Sequence, residues 1–423
     1  MSQQRQSVVL LAVSLCLLAL SSFSPCTQAS GGGKPLVTPI TKDASTSLYT
    51  SPLMVDRRPL VLDLSGPLVW STCDDASHPT VELYERECME ANRYTRPSCW
   101  AYAAGYYGAA GNKCAAHPYN PVAGRCAPGD LTRATLSANA TDGTNPLNPV
   151  SFPAVAACAP ASLLDKLPAG AVGVAGLARS DIALPAQVAA TQSVARKLAL
   201  CLPSAAIFGG GPFNLLPPWL PEITSTMGFT PLRRYKQQPG YYIWIKGINV
   251  NHNPVPLGYY GYGGPLVAGF STTIQYTALR PDVYRPFAQA FDNASTSGFG
   301  IPRVASVAPF ELCYNASALW STRVGYAVPQ IDLVLEDGTP YMVFGANSLV
   351  QVNDGTVCLA FLEMKKPEEL GYEHSQAPAV VLGGFQMENN LLVFDEEKQQ
   401  LGFSSLLFGR QTTCSNFNFT MAT

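Results

Sequence analysis

Short apolar runs rich in Val, Tyr, Phe and Thr recur along most of the chain, and each stops at glycine, proline, asparagine or aspartate. Runs bounded in this way are too short for helices and suit strands. The clearest lie at 60–64, 241–248, 331–335, 380–382 and 390–394, each followed closely by a turn signal. Apolar positions recur at helical spacing at 184–200 and 281–291, which predicts isolated helices laid on a sheet framework. The pattern therefore predicts a mainly β protein with few short helices. Val172-Gly173-Val174-Ala175-Gly176-Leu177 and Val380-Val381-Leu382-Gly383-Gly384-Phe385 echo each other, an apolar strand set against glycine. The echo suggests duplicated lobes, although strands in general end in glycine turns. A Pro/Gly-rich stretch at 209–221 is a plausible passage between an N-terminal lobe at 30–208 and a C-terminal lobe at 222–423.

Composition narrows the function classes. With 423 residues, 47% of them hydrophobic, the chain has material for more than one core. Charged residues are only 13% and the net charge is -2, so phosphate backbones meet little long-range attraction and nucleic acid is excluded as a partner. Arg5, an apolar run at 8–20 and the small-residue ending Thr27-Gln28-Ala29 read as a secretory signal peptide spanning 1–29. No later run approaches the ~20 apolar residues of a membrane helix, so no membrane anchor is expected. The expected product is an extracellular monomer of the apoplast or cell wall.

Ten cysteines follow the signal: Cys73, Cys88, Cys99, Cys114, Cys126, Cys158, Cys201, Cys313, Cys358 and Cys414. An even number, an oxidising compartment and the absence of CxxC spacing favour five disulfides over a metal or redox site, with connectivity left open. Sequons at Asn139, Asn293, Asn315 and Asn418 fit the same compartment and would mark exposed loops if glycosylated. The four histidines, His78, His117, His252 and His374, are scattered without ligand spacing. No metal and no cofactor are expected.

The chemistry is decided by two loops. Leu60-Val61-Leu62-Asp63-Leu64-Ser65-Gly66-Pro67-Leu68-Val69-Trp70-Ser71 is an apolar strand, an acidic turn and a second apolar strand. It resembles the first active-site loop of plant pepsin-like aspartic proteases, in which apolar residues precede Asp-Thr-Gly-Ser and Leu-x-Trp follows. The resemblance puts Asp63 in the catalytic place, with Ser65 replacing the glycine that gives the loop its close backbone approach. For the second loop, Gly269-Phe270-Ser271-Thr272-Thr273-Ile274-Gln275 aligns best, with Ser271 where the second aspartate is expected. Two carboxylates sharing one proton are what such a protease needs, and a hydroxyl has no carboxylate pKa to offer. The segments 173–187 and 380–404 are similar to further strands of the same fold, so the likeness covers nearly all of the mature chain. It implies a bilobal pepsin-like fold with two β-barrel-like lobes and no proteolytic activity.

Within that superfamily the chain resembles a non-proteolytic branch of plant apoplastic proteins. The branch includes the cereal xylanase inhibitors, the xyloglucan-specific endoglucanase inhibitors and the extracellular dermal glycoprotein. The likeness is carried by Ser-Leu-Tyr-Thr at 47–50, Gly-Pro-Leu-Val-Trp-Ser-Thr-Cys at 66–73, Leu-Arg-Pro-Asp-Val-Tyr at 279–284 and Arg-Gln-Thr-Thr-Cys-Ser-Asn-Phe-Asn-Phe-Thr at 410–420. It implies inhibition of microbial glycoside hydrolases of the family 11 or family 12 type. Those enzymes work with two carboxyl groups across a sugar cleft, where an always-charged guanidinium competes with substrate. The cereal xylanase inhibitors carry a histidine just before their final cysteine, whereas this chain reads Leu406-Leu407-Phe408-Gly409-Arg410-Gln411-Thr412-Thr413-Cys414, closer to the xyloglucanase inhibitors. By resemblance Arg410 is the first inhibitory candidate, Arg323 the second and Phe408 an apolar anchor.

Three lesser readings complete the picture. Tyr259-Tyr260-Gly261-Tyr262-Gly263-Gly264 has the composition of a carbohydrate or protein contact, or of a hairpin. Tyr119 echoes the flap tyrosine of active proteases, but Asn120-Pro121 departs from the flap pattern. The main alternative function is a storage or receptor-like extracellular glycoprotein on the same scaffold, because fold alone does not settle function.

Overall fold

Strands covered on both faces read as largely apolar runs, and three such strands, Leu36–Pro39, Lys197–Cys201 and Ala205–Phe208, lie at the centre of this computed structural model. It describes residues 33–73, 78–96, 99, 111–141, 148–211, 213–215, 222–258, 265–370, 372 and 377–417. The expected leader at 1–29, the sequon at Asn418, the tyrosine-rich run at 259–264 and much of the passage at 209–221 lie outside the described residues.

The three strands pair antiparallel with one another, and Lys197–Cys201 also pairs with Leu391–Asp395, matching Lys197 to Asp395 and Cys201 to Leu391. Beyond it come Gln400–Phe403 and Gly228–Pro231, again antiparallel. Six strands, three from each side of residues 209–221, thus make one continuous antiparallel core sheet. Around it the fold is mainly β with short helices, including Arg86–Arg93, Leu184–Gln192 and Pro281–Asn293.

The echoed segments occupy equivalent places. Gly173–Gly176 runs parallel to Leu60–Asp63 and antiparallel to Val69–Thr72, which in turn runs parallel to Asn148–Ala159. Val380–Leu382 runs parallel to Leu266–Phe270 and antiparallel to Thr277–Leu279, which runs parallel to Phe361–Glu363. Both halves therefore repeat one arrangement, parallel, antiparallel, parallel, and the apolar sequence repeats because each returning strand is buried on both faces.

Two expectations change. The predicted helix at 184–200 ends at Gln192, where Ser193 turns left-handed at φ 53. The rest becomes the strand Lys197–Cys201, since the sheet buries Leu198, Ala199, Leu200 and Cys201 on both faces. Asn139 is not in a loop: it lies in the strand Gly129–Ala140, opposite Val37 and Pro149, and is only 9% exposed. Asn293 at a helix end is exposed, and Asn315 is half-buried with Oδ1 accepting from Ser317 N at 3.0 Å.

All ten cysteines are paired: Cys73–Cys158, Cys88–Cys114, Cys99–Cys126, Cys201–Cys414 and Cys313–Cys358. Cys201–Cys414 ties the C-terminal segment to the core sheet across a separation of 213 residues.

Candidate functional site

Two regions contain the residues singled out by the sequence. The first is the cleft between the halves. Asp63 closes the strand Leu60–Asp63 opposite Gly176, and Ser271 directly follows Leu266–Phe270, whose Phe270 is opposite Leu382. Both are buried, at 3% and 6% exposure. The loops are joined by Thr272, whose hydroxyl donates to Leu62 O at 2.6 Å and accepts from Leu64 N at 3.2 Å. Those two bonds bracket Asp63, so the Asp63 and Ser271 loops meet directly. The bonding is one-sided, because the first loop has Leu64 after Asp63 where the second has Thr272 after Ser271.

The close backbone approach expected to suffer from Ser65 is made one residue later. A Cβ on Gly66 would stand 2.9 Å from Asp63 Oδ2 and 3.1 Å from Gly176 Cα, so a side chain at 66 would crowd both, while Ser65 is accommodated. Asp63 Oδ1 accepts from Ser65 N at 2.8 Å. Burial pushes the Asp63 carboxyl above its ordinary range, opposed by the Ser65 N–H and by the Arg96 guanidinium. Ser271 Oγ is instead 3.1 Å from Thr273 Oγ1 and accepts from Thr273 N at 3.3 Å. Tyr119 begins a short hairpin with Arg125–Cys126; its carbonyl accepts from Trp70 Nε1 at 2.9 Å and Arg96 stacks over its ring at 3.9 Å. Asp63, Arg96, Tyr119 and His117 line one pocket, whose lining residues all belong to the first half.

The second region holds both candidate arginines. Arg323 is exposed at the tip of a hairpin, Ser321–Thr322 paired with Gly325–Tyr326. Thr322 Oγ1 donates to Gly325 O at 2.7 Å and accepts from Val324 N at 3.2 Å, fixing the turn. Gly325 has φ +98, and a Cβ there would meet Ala346 N at 2.0 Å, so only glycine lets the hairpin seat on the helix Gly345–Ser348. Arg410 ends the 3-10 turn Leu407–Arg410, whose Leu407 is fully buried beside Cys201 and Cys414. Leu407 N donates to Asn389 O at 2.8 Å, and Arg410 is half-buried with its guanidinium donating to Thr226 Oγ1. Phe408 is half-buried and Gly409 exposed.

The two segments meet in space: a Cβ on Gly409 would be 3.8 Å from Val324 Cγ1. Trp320, at the base of the hairpin with its carbonyl accepting from Ala327 N at 2.8 Å, is 81% exposed. Sequence reasoning passed over Trp320 because a lone tryptophan in an apolar chain reads as core. It also passed over Arg96, and treated His117 as an ordinary residue; the pocket that gathers them exists only in three dimensions. His78 lies near the sulfurs of Cys73 and Cys158, but these form a disulfide and leave no thiolate to bind a metal.

The doubled strand arrangement, the shared six-stranded sheet and the cleft loops define a bilobal pepsin-like scaffold. A crystal structure of an aspartic proteinase from Irpex lacteus superposes with a TM-score of 0.53 over 90% of this chain and 99% of that one, at 11% identity, which supports the fold alone. Residues 54–211 match the family model described as xylanase inhibitor N-terminal, and residues 240–405 match xylanase inhibitor C-terminal. The chain belongs to this xylanase-inhibitor family of pepsin-like proteins. It is 57% identical to a protein named chitinase CLP from Oryza sativa subsp. japonica, over 98% of this chain and 99% of that protein. The crystal structure of EDGP is 33% identical, with a TM-score of 0.78 over 92% of this chain and 98% of that one. Among the described residues no helix is long and apolar enough to cross a membrane.

Proposed function

We propose that this chain is a secreted inhibitor of microbial cell-wall glycoside hydrolases, either a xyloglucan endoglucanase or an endo-xylanase, and that it has no endopeptidase activity. Arg410 and Arg323 enter the target's carboxylate-lined cleft, where a guanidinium pairs with the catalytic carboxylates and displaces sugar. Phe408 and the exposed Trp320 supply apolar contact around the charges, the pattern of a binding centre with an aromatic anchor. The observation that carries this reading is the meeting of the two arginine segments at Gly409 and Val324, far apart in sequence and both rigidly built. Peptide hydrolysis is absent because Ser271 takes the place of the second carboxylate and leaves Asp63 without a partner to share its proton.

The test is inhibition of purified fungal xyloglucan endoglucanase and xylanase by the secreted protein, by Arg410→Ala and by Arg323→Ala, with a pepsin substrate as control. Loss of a charged hydrogen-bonded contact in a desolvated cleft raises the inhibition constant about 30-fold or more, because such truncations cost about 2–5 kcal/mol. Inhibition equal to wild type in both variants sinks the arginine mechanism. No inhibition of either enzyme by folded protein favours the storage or receptor-like role.

Chitin hydrolysis is a second reading, favoured by the name of the rice relative. Against it stands the chemistry of the cleft, where Asp63 is the one carboxylate among the described pocket residues, whereas most glycosidases use a pair. Reducing sugar released from chitin by the wild type and not by Asp63→Asn would establish it.

A further inference from the structure

We propose that the pocket beside Asp63 is a binding site for a pyranose unit of a short neutral saccharide, a site separate from the two arginine loops. Its wall combines Asp63, Ser65, Arg96, His117, Tyr119 and Trp70. Each presents chemistry that a sugar ring uses.

The strongest sign of a missing ligand is His117. Its side chain is 7% exposed, and Nδ1 is 3.1 Å from Asn92 Oδ1. Nε2 is buried and makes no hydrogen bond among the described residues. A buried nitrogen without a partner costs stability, so its retention in a pocket wall is explained by a ligand hydroxyl that completes it. Burial pushes the imidazole below its ordinary value, which favours the neutral form, and a neutral ring nitrogen can exchange one hydrogen bond with a hydroxyl.

Charge selects against ions. Asp63 and Arg96 bring one group of each sign to the same pocket, so neither an anion nor a cation meets a surplus of opposite charge there. A carboxylate accepts up to about four hydrogen bonds, and Oδ1 is engaged by the Ser65 N–H at 2.8 Å. Acceptor capacity remains for hydroxyl donors. The fork of Arg96 offers donors, while its stacking on Tyr119 at 3.9 Å fixes the ring that faces the pocket. Trp70 braces the same hairpin through its 2.9 Å bond to Tyr119 O. Neutral polyols, with paired donors and acceptors around an apolar ring face, meet all of these groups at once. An extended peptide meets them less well, because the catalytic pair that would grip its carbonyl is reduced to Asp63.

The experiment is isothermal titration of the intact wild-type protein with xylotriose and with the N-acetylglucosamine trimer, alongside an apolar pentapeptide. Saturable heat with at least one of the sugars is expected, weakened about 10- to 150-fold by Asp63→Asn and by Arg96→Met, since one hydrogen bond to a charged group contributes about 1.5–3 kcal/mol. Circular dichroism confirms that each variant folds, and Ser65→Ala, with a half-buried hydroxyl, is a milder third probe. Arg410→Ala keeps wild-type sugar affinity, so failure of the inhibitor mechanism and failure of this site are read separately. No saturable binding of either sugar, binding unchanged in both Asp63→Asn and Arg96→Met, or binding of the peptide alone would overturn the proposal.

Discussion

Thr272 is the most direct test of how the two halves are held at the cleft. Its side chain is fully buried, and its hydroxyl makes the pair of bonds to Leu62 O and Leu64 N that joins the second loop to the first. Thr272→Val keeps shape and volume but removes one donor and one acceptor. The lost bonds and the Leu64 N–H left without its partner together cost about 2–4 kcal/mol. Unfolding entropy of about 2 cal/mol/K per residue over the folded part of the chain gives about 0.8 kcal/mol/K, so the melting temperature should fall by about 3–5 °C. Thr272→Ser retains the hydroxyl and loses only a methyl, worth about 1 kcal/mol or about 1 °C. Scanning calorimetry at several scan rates on the disulfide-intact protein measures both. The reasoning is refuted if Thr272→Val melts with the wild type, or if Thr272→Ser falls as far as Thr272→Val.

Burial raises the Asp63 carboxyl, so its folded form holds the proton more tightly than the unfolded chain does. Its favourable contribution is present below the unfolded pKa and is lost as pH rises through the folded one. Asp63→Asn should therefore melt higher than wild type at neutral pH, with the gain shrinking in acid; a neutral-pH loss would show that the Ser65 and Arg96 contacts dominate. Replacing Cys201 and Cys414 together by Ser removes a crosslink between residues 213 apart and should cost about 3–5 kcal/mol, read as a lower calorimetric melting temperature. An unchanged melting temperature would show that Leu407 and its bond to Asn389 anchor the Arg410 turn by themselves.

The strands at 331–335 and 380–382 were legible in the sequence to the residue, because turn residues bound them and, Asp332 apart, their residues are apolar. Composition and spacing also indicated a disulfide-rich chain, and the two loop motifs pointed to the pepsin-like scaffold. The fate of 193–201 was not legible, because an alanine- and leucine-rich run suits a helix until a sheet buries both of its faces. Asn139 reads as a sequon, and only its strand partners Val37 and Pro149 decide that it is buried. Tertiary structure alone chose the five disulfide pairings, brought the Arg323 hairpin against the Arg410 turn, and gathered His117 and Arg96 around Asp63. Each of these depends on segments distant along the chain, whose approach is set by the packing of whole sheets and leaves no local periodicity in the sequence.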